Sequence, residues 1–466
     1  MEFEATTMEN GGPDHHHHHV VTVEEVEKME EEIRQDPTLL NTSAGNKSCC
    51  IFRVPQSLIE INKKAYQPQI VSIGPFHHGK PHLEMIEQHK CRFLGELLAR
   101  SPPNSPKLDR YLKAVASIES PIRMSYSEHI TFDSIDLIKM MVLDGLFIIE
   151  VIAKVGRVAP SDPGDSIFNM SWMCPYLMRD FLRFENQIPF FVLEKLFDLS
   201  KDTREGGGQT LARLALEFFN YLVQRPKDVL DRLDNLEGKH LLDLFRLSFI
   251  PSTQQQTNPR RAMTRRREKK IVPLFQLIQS AKKLNLAGIE LKTGMADSFL
   301  DIRFHNGVLE IPQITIDDFT TSLFLNSVAF EQCYSHCSKH MITYATLMRC
   351  LMNTPSDVDF LGDKKIVENY LGTDDEVAQF FNLLGKDVAF DIENNYLKKV
   401  FENVNGYYRN DVLVQWAGFK HTYFNTPWSF ISALAATLLL LLTMIQAFFA
   451  IYSYKVPANL SPAAPP

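Results

Sequence analysis

A mainly α fold, with a large helical body, a small β-hairpin and one C-terminal transmembrane helix, is what this 466-residue sequence predicts. Three observations carry that reading. Phe430 to Ile451, FISALAATLLLLLTMIQAFFAI, is the only charge-free run long enough to cross a bilayer, spanning roughly 33 Å at about 1.5 Å per helical residue. Asp133 to Val151 and Tyr176 to Leu199 are apolar around most of a helical circumference, the mark of buried helices. Asn306-Gly307 divides two alternating runs within Phe299 to Ile316, a strong hairpin cue.

Composition bounds what such a chain does. Hydrophobic residues make up 45% of it, enough for a large core, and no long Gly/Ser linker divides it. A net charge of −7 argues against general nucleic-acid binding, so no nucleic-acid partner is expected. The seven cysteines form an odd set without a Cys-x-x-Cys pair, which suits a reducing cytosol better than a disulfide framework.

Residues 1–45 read as a disordered, acidic N-terminal segment. Its five-histidine run is a solvated or tag-like tract before it is a metal holder, and Val20 to Gln35 is patterned as an acidic amphipathic helix. The segment has no basic n-region with an apolar h-region and no Met-Gly start, so neither a cleavable signal nor myristoylation is expected. Residues 46–250 form a helical lobe. Within it Ile70 to Ile73 is a short extended piece, Pro81 opens a helix, and Leu83, Ile86, Phe93, Leu94 and Leu97 give that helix its core face. Leu211 to Val223 and His240 to Phe249 add two more helices.

Residues 251–270 end in seven basic residues and one Glu, and mark the lobe boundary as a basic disordered loop. Contact with anionic headgroups, at about 1 kcal/mol per Lys or Arg, competes with simple solvation. A second helical lobe, 271–424, carries the hairpin at 299–316. The transmembrane helix occupies 428–454, with Phe430, Leu438, Leu442, Gln446 and Ile451 in the span and Trp428, Tyr452 and Tyr454 at the interfaces. A short tail, 455–466, follows. Ser432 and Ala436 make a small-x-x-x-small pair, and Gln446 can hydrogen-bond to another helix, so self-association through the span is weighed against simple lipid contact.

A span this close to the end of the chain predicts tail anchoring, with the body in the cytosol, at the plasma membrane or an endomembrane. Arg409 and Lys420 on the body side against Lys455 agree with the positive-inside rule. Sugar on the sequons at Asn41, Asn46 or Asn169 would reverse that topology; a fourth sequon lies at Asn459.

Four constellations of residues bear on chemistry. Gly74 to Pro81, GPFHHGKP, nearly spells a phosphate-binding loop, but Pro81 replaces the required hydroxyl residue and lacks an N–H, which favours a structural turn. His77, His78, His82 and His89 invite a metal reading that Gly79 and Pro81 weaken by breaking helical spacing. Cys333, His336, Cys337 and His340 form the better cluster, since Cys333, Cys337 and His340 share one face of a continuous helix; Cys333, Cys337 and His340 are the weak metal candidates, against a null of cysteines as small apolar residues. Asp144, Glu150, Asp180 and Glu185 sit in apolar helices, where ion pairs with Arg123, Arg179 or Arg183 outweigh an acid/base dyad. Nothing matches G-x-S-x-G, H-E-x-x-H or the kinase signatures.

The segments IFRVPQSL, AYQPQIVSIGPFHHGK, LEMIEQHK, LDGLFIIE, LRFENQIPFFVLEKLF, SAKKLNLAGIELK, FLDIRFHNGVLEIPQITIDD, LMNTPSDVDFL, LGTDDEVAQFFNLL and YFNTPWSFISALAATLLLLLTMIQ together resemble the plant domain-of-unknown-function 247 family, also called uncharacterised protein family 0481. Leu146 and Lys282 depart from it, standing where Cys and Thr are usual. The resemblance implies a plant protein with a mostly helical body and a C-terminal anchor. Certain grass relatives look like self-incompatibility determinants, which implies recognition rather than catalysis; the family offers no catalytic residues to carry over. The expectation is a membrane-anchored interaction or signalling component, with a bilayer and a protein or second copy as partners, and with no enzyme activity or cofactor. The alternative is a degenerate nucleotide-binding or metal-dependent enzyme.

Overall fold

The computed structural model describes residues 21–455 except 35–36, 38, 103–106, 161, 163, 202–207, 235, 252–276, 387, 411–414 and 416–426. The histidine run, all but the first residue of the basic loop, the C-terminal tail beyond Lys455 and Asn459 lie outside these, as do the side chains of Phe430 and Tyr454.

The principal helices are α1 (Val23–Arg34), α2 (Glu84–Arg100), α3 (Leu108–Ala116), α4 (Ser134–Val155), α5 (Met173–Asp180), α6 (Phe190–Leu199), α7 (Leu211–Val223), α8 (Leu241–Leu247), α9 (Asp318–Cys333), α10 (His340–Leu351), α11 (Pro355–Asp363), α12 (Asp374–Leu384), α13 (Lys398–Tyr408) and α14 (Pro427–Lys455). The fold is mainly α, as the apolar patterning predicts. Helix α4 is its axle: Asp133 caps it by accepting from the Asp136 N–H, and α2, α3, α6 and α7 pack around it. Its all-round hydrophobicity follows, because every side meets a neighbour. At Gly145 a Cβ would collide with Leu196, so the glycine sets how closely α6 approaches.

Tyr176 to Leu199 is not one helix. It breaks between Asp180 and Phe190, where Pro189 resists helical geometry in its predecessor and the Asn186 and Gln187 amides take over backbone acceptors. Asn186 donates to Val71 O and Asp180 O, and Gln187 to Phe181 O and Arg183 O.

Strands β1 (Glu290–Gly294), β2 (Arg303–His305) and β3 (Val308–Pro312) form one sheet in the order β1-β3-β2. The expected hairpin is present, shorter than 299–316: β2 and β3 are antiparallel around Asn306 (φ 50°) and Gly307 (φ 81°), the two positive φ values of a type I′ turn. Beyond the hairpin, β3 also pairs parallel to β1, and the chain then crosses into β4 (Ile314–Ile316), which pairs parallel to β5 (Val367–Asn369).

One continuous hydrophobic core runs from Cys49 to Val404. Helix α1 contributes nothing to it; all of its residues are exposed. Helix α14 contains Ile431–Ser453, 23 residues of mean hydropathy 2.3 with none buried, the one described helix long and apolar enough to cross a membrane. Leu438, Leu442, Ile451, Trp428 and Tyr452 are all exposed along it.

Candidate functional site

Residues 69–80 run without regular structure past the middle of α4, at Asp144, and the C-terminal end of α5, at Asp180, and side chains rather than a ladder satisfy much of their backbone. Asp180, fully buried, accepts from the N–H groups of Gln69 (2.9 Å), Ile70 (2.8 Å) and Val71 (3.2 Å) and from Arg183 Nε (2.9 Å). Asn186 Oδ1 accepts from Ile73 N at 2.8 Å, and Asp144 Oδ2 from Gly74 N at 2.7 Å. Gly74 has φ 72°, and a Cβ there would lie 2.7 Å from Gln187 O. The Gly74 N–H, the first that a phosphate-binding loop would aim at a ligand, is therefore already spent on Asp144, and the backbone leading into the loop is held by Asp180 and Asn186. No strand precedes the loop, and Pro81 opens a short 3-10 helix ahead of α2.

Every carboxylate singled out in the sequence has a cationic partner, although mostly not the one expected. Lys90, with no exposed surface, lies 2.6 Å from Asp144 Oδ1 and 2.6 Å from Glu87, and also donates to Ser72 O. Glu150 pairs with Arg100 at 2.5 Å, Asp180 with Arg183, and Glu185 with Arg53 at 3.3 Å. Of the three arginines expected as partners only Arg183 serves. Arg123 binds Glu119 and the carbonyls of Ile130 and Phe132, and Arg179 lies against the Tyr176 ring. Lys90 and Arg100 come from α2, whose packing on α4 is invisible to local pattern. Burial pushes the Asp144 and Asp180 carboxyls up, with Lys90 and Arg183 opposing it.

At the outer edge of this frame His77 is buried, its Nδ1 2.6 Å from Lys80 Nζ and its Nε2 3.4 Å from Glu185 Oε2. Glu185 also accepts from Val54 N at 2.8 Å. Burial lowers the His77 pKa against the opposing pull of Glu185, with Lys80 and Arg53 adding to the lowering. Lys80 is half-buried and also lowered, by burial first and then by Arg53 and Lys63 against the pull of Glu185. His78 is exposed beside the Phe132 ring, His82 is exposed, and His89 accepts from Arg92.

The Cys333 cluster loses the continuous helix it depended on. Helix α9 ends at Cys333, Tyr334 is extended (φ −93°, ψ 101°), and α10 restarts only at His340. Cys337 Sγ donates to Tyr334 O, His336 contacts Gly45 O at 3.0 Å, and His340 stacks on Tyr396. Burial pushes the Cys333 and Cys337 thiols up to about 12, which keeps them protonated and poor ligands. Among the described residues no three His, Cys, Asp or Glu side chains are gathered as a metal set.

A cavity of about 780 Å³, unforeseen in the sequence, opens between Leu222–Arg225, Phe249, the 293–299 turn and the start of α9. Arg225 lines it, stacked 4.6 Å from the Phe249 centroid and donating to Ser248 O at 3.1 Å. Among the described residues its Nε and Nη2 find no acceptor, and burial pushes its pKa down to about 10.

No solved structure matches this chain. A UPF0481 protein of Arabidopsis thaliana is 41% identical over 450 residues, covering 93% of each chain. A more distant UPF0481 protein of the same plant is 22% identical, over 86% of this chain and 90% of its own. The DUF247 profile, described as plant protein of unknown function, matches residues 51–442, a stretch that holds the carboxylate frame, both small sheets and the first half of the apolar helix. This chain belongs to that plant family.

Proposed function

We propose that the chain is a single-pass membrane protein whose body faces the cytosol and acts as a protein-interaction or recognition component. The observation that carries this is Ile431–Ser453, apolar, 23 residues long and buried against nothing in the body. Leu, Ile and Phe each favour insertion by about 0.3 to 0.6 kcal/mol at mid-bilayer, and the span has no charge to oppose them. The orientation is supported by seven cysteines that are all unpaired, and by Asn41, whose side chain is occupied in a 3.1 Å bond to Tyr126 O. Recognition rather than chemistry is supported by the carboxylate frame, whose charged groups are committed to one another and to backbone amides.

The test compares the full chain with a truncation ending before Trp428. The full chain is expected to pellet with salt-washed membranes and the truncation to stay soluble; equal pelleting overturns the anchor. Sugar on the exposed Asn46 or Asn169 would overturn the orientation. Proximity labelling from the anchored chain should recover a protein set that the isolated span does not, and identical sets would refute recognition by the body.

A further inference from the structure

We propose that Lys80 is an activated amine and a site of covalent acylation, with an acyl thioester as donor, His77 as proton acceptor and Glu185 as the positioning residue. The geometry is a relay of carboxylate, imidazole and amine. Lys80 Nζ lies 2.6 Å from His77 Nδ1, and an amine can only donate there if Nδ1 carries a lone pair. The ring proton is then on Nε2, which faces Glu185 Oε2 at 3.4 Å. Glu185 is itself fixed, with Oε1 accepting from Val54 N and Oε2 beside Arg53. The Lys80 contact selects that tautomer, and Glu185, facing Nε2 at ion-pair distance without a formed hydrogen bond, stabilises the imidazolium that arises when the amine gives up its proton.

The surroundings weaken the ammonium form of Lys80 relative to a solvent-exposed lysine. His77 is 2% exposed, and its burial disfavours imidazolium, so a proton taken from Lys80 is passed on rather than retained. The Lys80 amine is destabilised as ammonium by burial, Arg53 and Lys63, with Glu185 the opposing charge. Gly79, at φ 79° with open space where a Cβ would stand, and exposed His78 leave one side of the loop clear for a donor. In the step, Lys80 Nζ attacks the thioester carbonyl carbon, a C–N bond forms and the C–S bond breaks. The amine proton passes through His77 Nδ1 to the departing thiolate. The product is an N-acyl-lysine and a free thiol, with no oxidant or reductant required.

The experiment uses the full chain in lipid nanodiscs with N,S-diacetylcysteamine, a minimal acyl thioester, and site-resolved mass spectrometry. Lys63 and Lys64, both exposed, are internal references. At about pH 7.5 Lys80 is expected to acetylate about tenfold faster than either, and its rate to level off at lower pH than theirs. Equal rates overturn the proposal without any variant. Glu185→Gln separates the relay from simple electrostatics, because removing that negative charge alone makes Lys80 less basic and speeds the reaction. The relay instead predicts a slowing of about fivefold, with Lys63 and Lys64 unchanged. An unchanged or faster Lys80 rate in that variant overturns it. His77→Asn, which keeps an acceptor but no base, should bring Lys80 to the rate of its references; a retained advantage overturns the role of His77.

Discussion

Replacing Lys90 by Met tests whether the carboxylate frame is held by charge. Lys90 and Asp144 are both buried and 2.6 Å apart, a gross attraction of about 6 kcal/mol at an effective dielectric near 20. Desolvating both ions offsets most of that, so the pair contributes little net stability, whereas breaking it strands Asp144 with, among the described residues, the Gly74 amide as its donor. The expected loss is about 3 to 5 kcal/mol, a large share of the ~5 to 15 kcal/mol that holds a domain together. Urea denaturation of the full chain in mild detergent, followed by fluorescence, measures it. Lys90→Met combined with Asp144→Asn should recover about 2 kcal/mol of the loss, since no buried charge is then stranded. Amide exchange adds a local readout: Gly74 should open faster in the single variant than the amides of α9. A single variant costing under about 1 kcal/mol, or a double variant no better than the single, would refute the reasoning.

Two further outcomes follow from the same geometry. Gly74→Ala should cost about 2 to 4 kcal/mol, because a Cβ at φ 72° meets Gln187 O at 2.7 Å; a thermal melt within a degree of the parent would contradict the close approach. His240 is fully buried and held neutral, its pKa pushed by burial from 6.5 to about 4, so the unfolded chain takes up a proton that the folded one refuses. Its stabilisation is complete above pH 6.5 and is lost as pH falls from there to about 4, roughly 3 kcal/mol in all. His240→Asn keeps a cap acceptor for the Asp243 N–H and should flatten that part of the acid denaturation curve.

What was legible in the sequence is what neighbouring residues decide. The apolar run at 431–453 is one helix because no charge, glycine or proline interrupts it, and Asn306-Gly307 makes a I′ turn because both residues tolerate positive φ. Family membership was legible in the same way, from ordered local blocks. Periodicity failed where distant groups intervened. Tyr176 to Leu199 reads as a helix throughout, yet Asn186 reaches Val71 O in the loop, Gln187 takes the Phe181 and Arg183 carbonyls, and Asp180 finds the amides of residues 69–71. The Cys333 to His340 spacing held only on paper, because the chain leaves the helix at Tyr334.

By itself the sequence determined a mostly helical body, a hairpin, an apolar C-terminal helix and the presence of carboxylates too buried to stand alone. Only the tertiary structure decided most of their partners: Lys90 and Arg100 against α4, and Arg53 and His77 against Glu185. The physical reason is range. Helix, turn and membrane preferences are set within a few residues, whereas a buried charge is satisfied by whichever opposite charge the fold brings within about 3 Å, however distant along the chain.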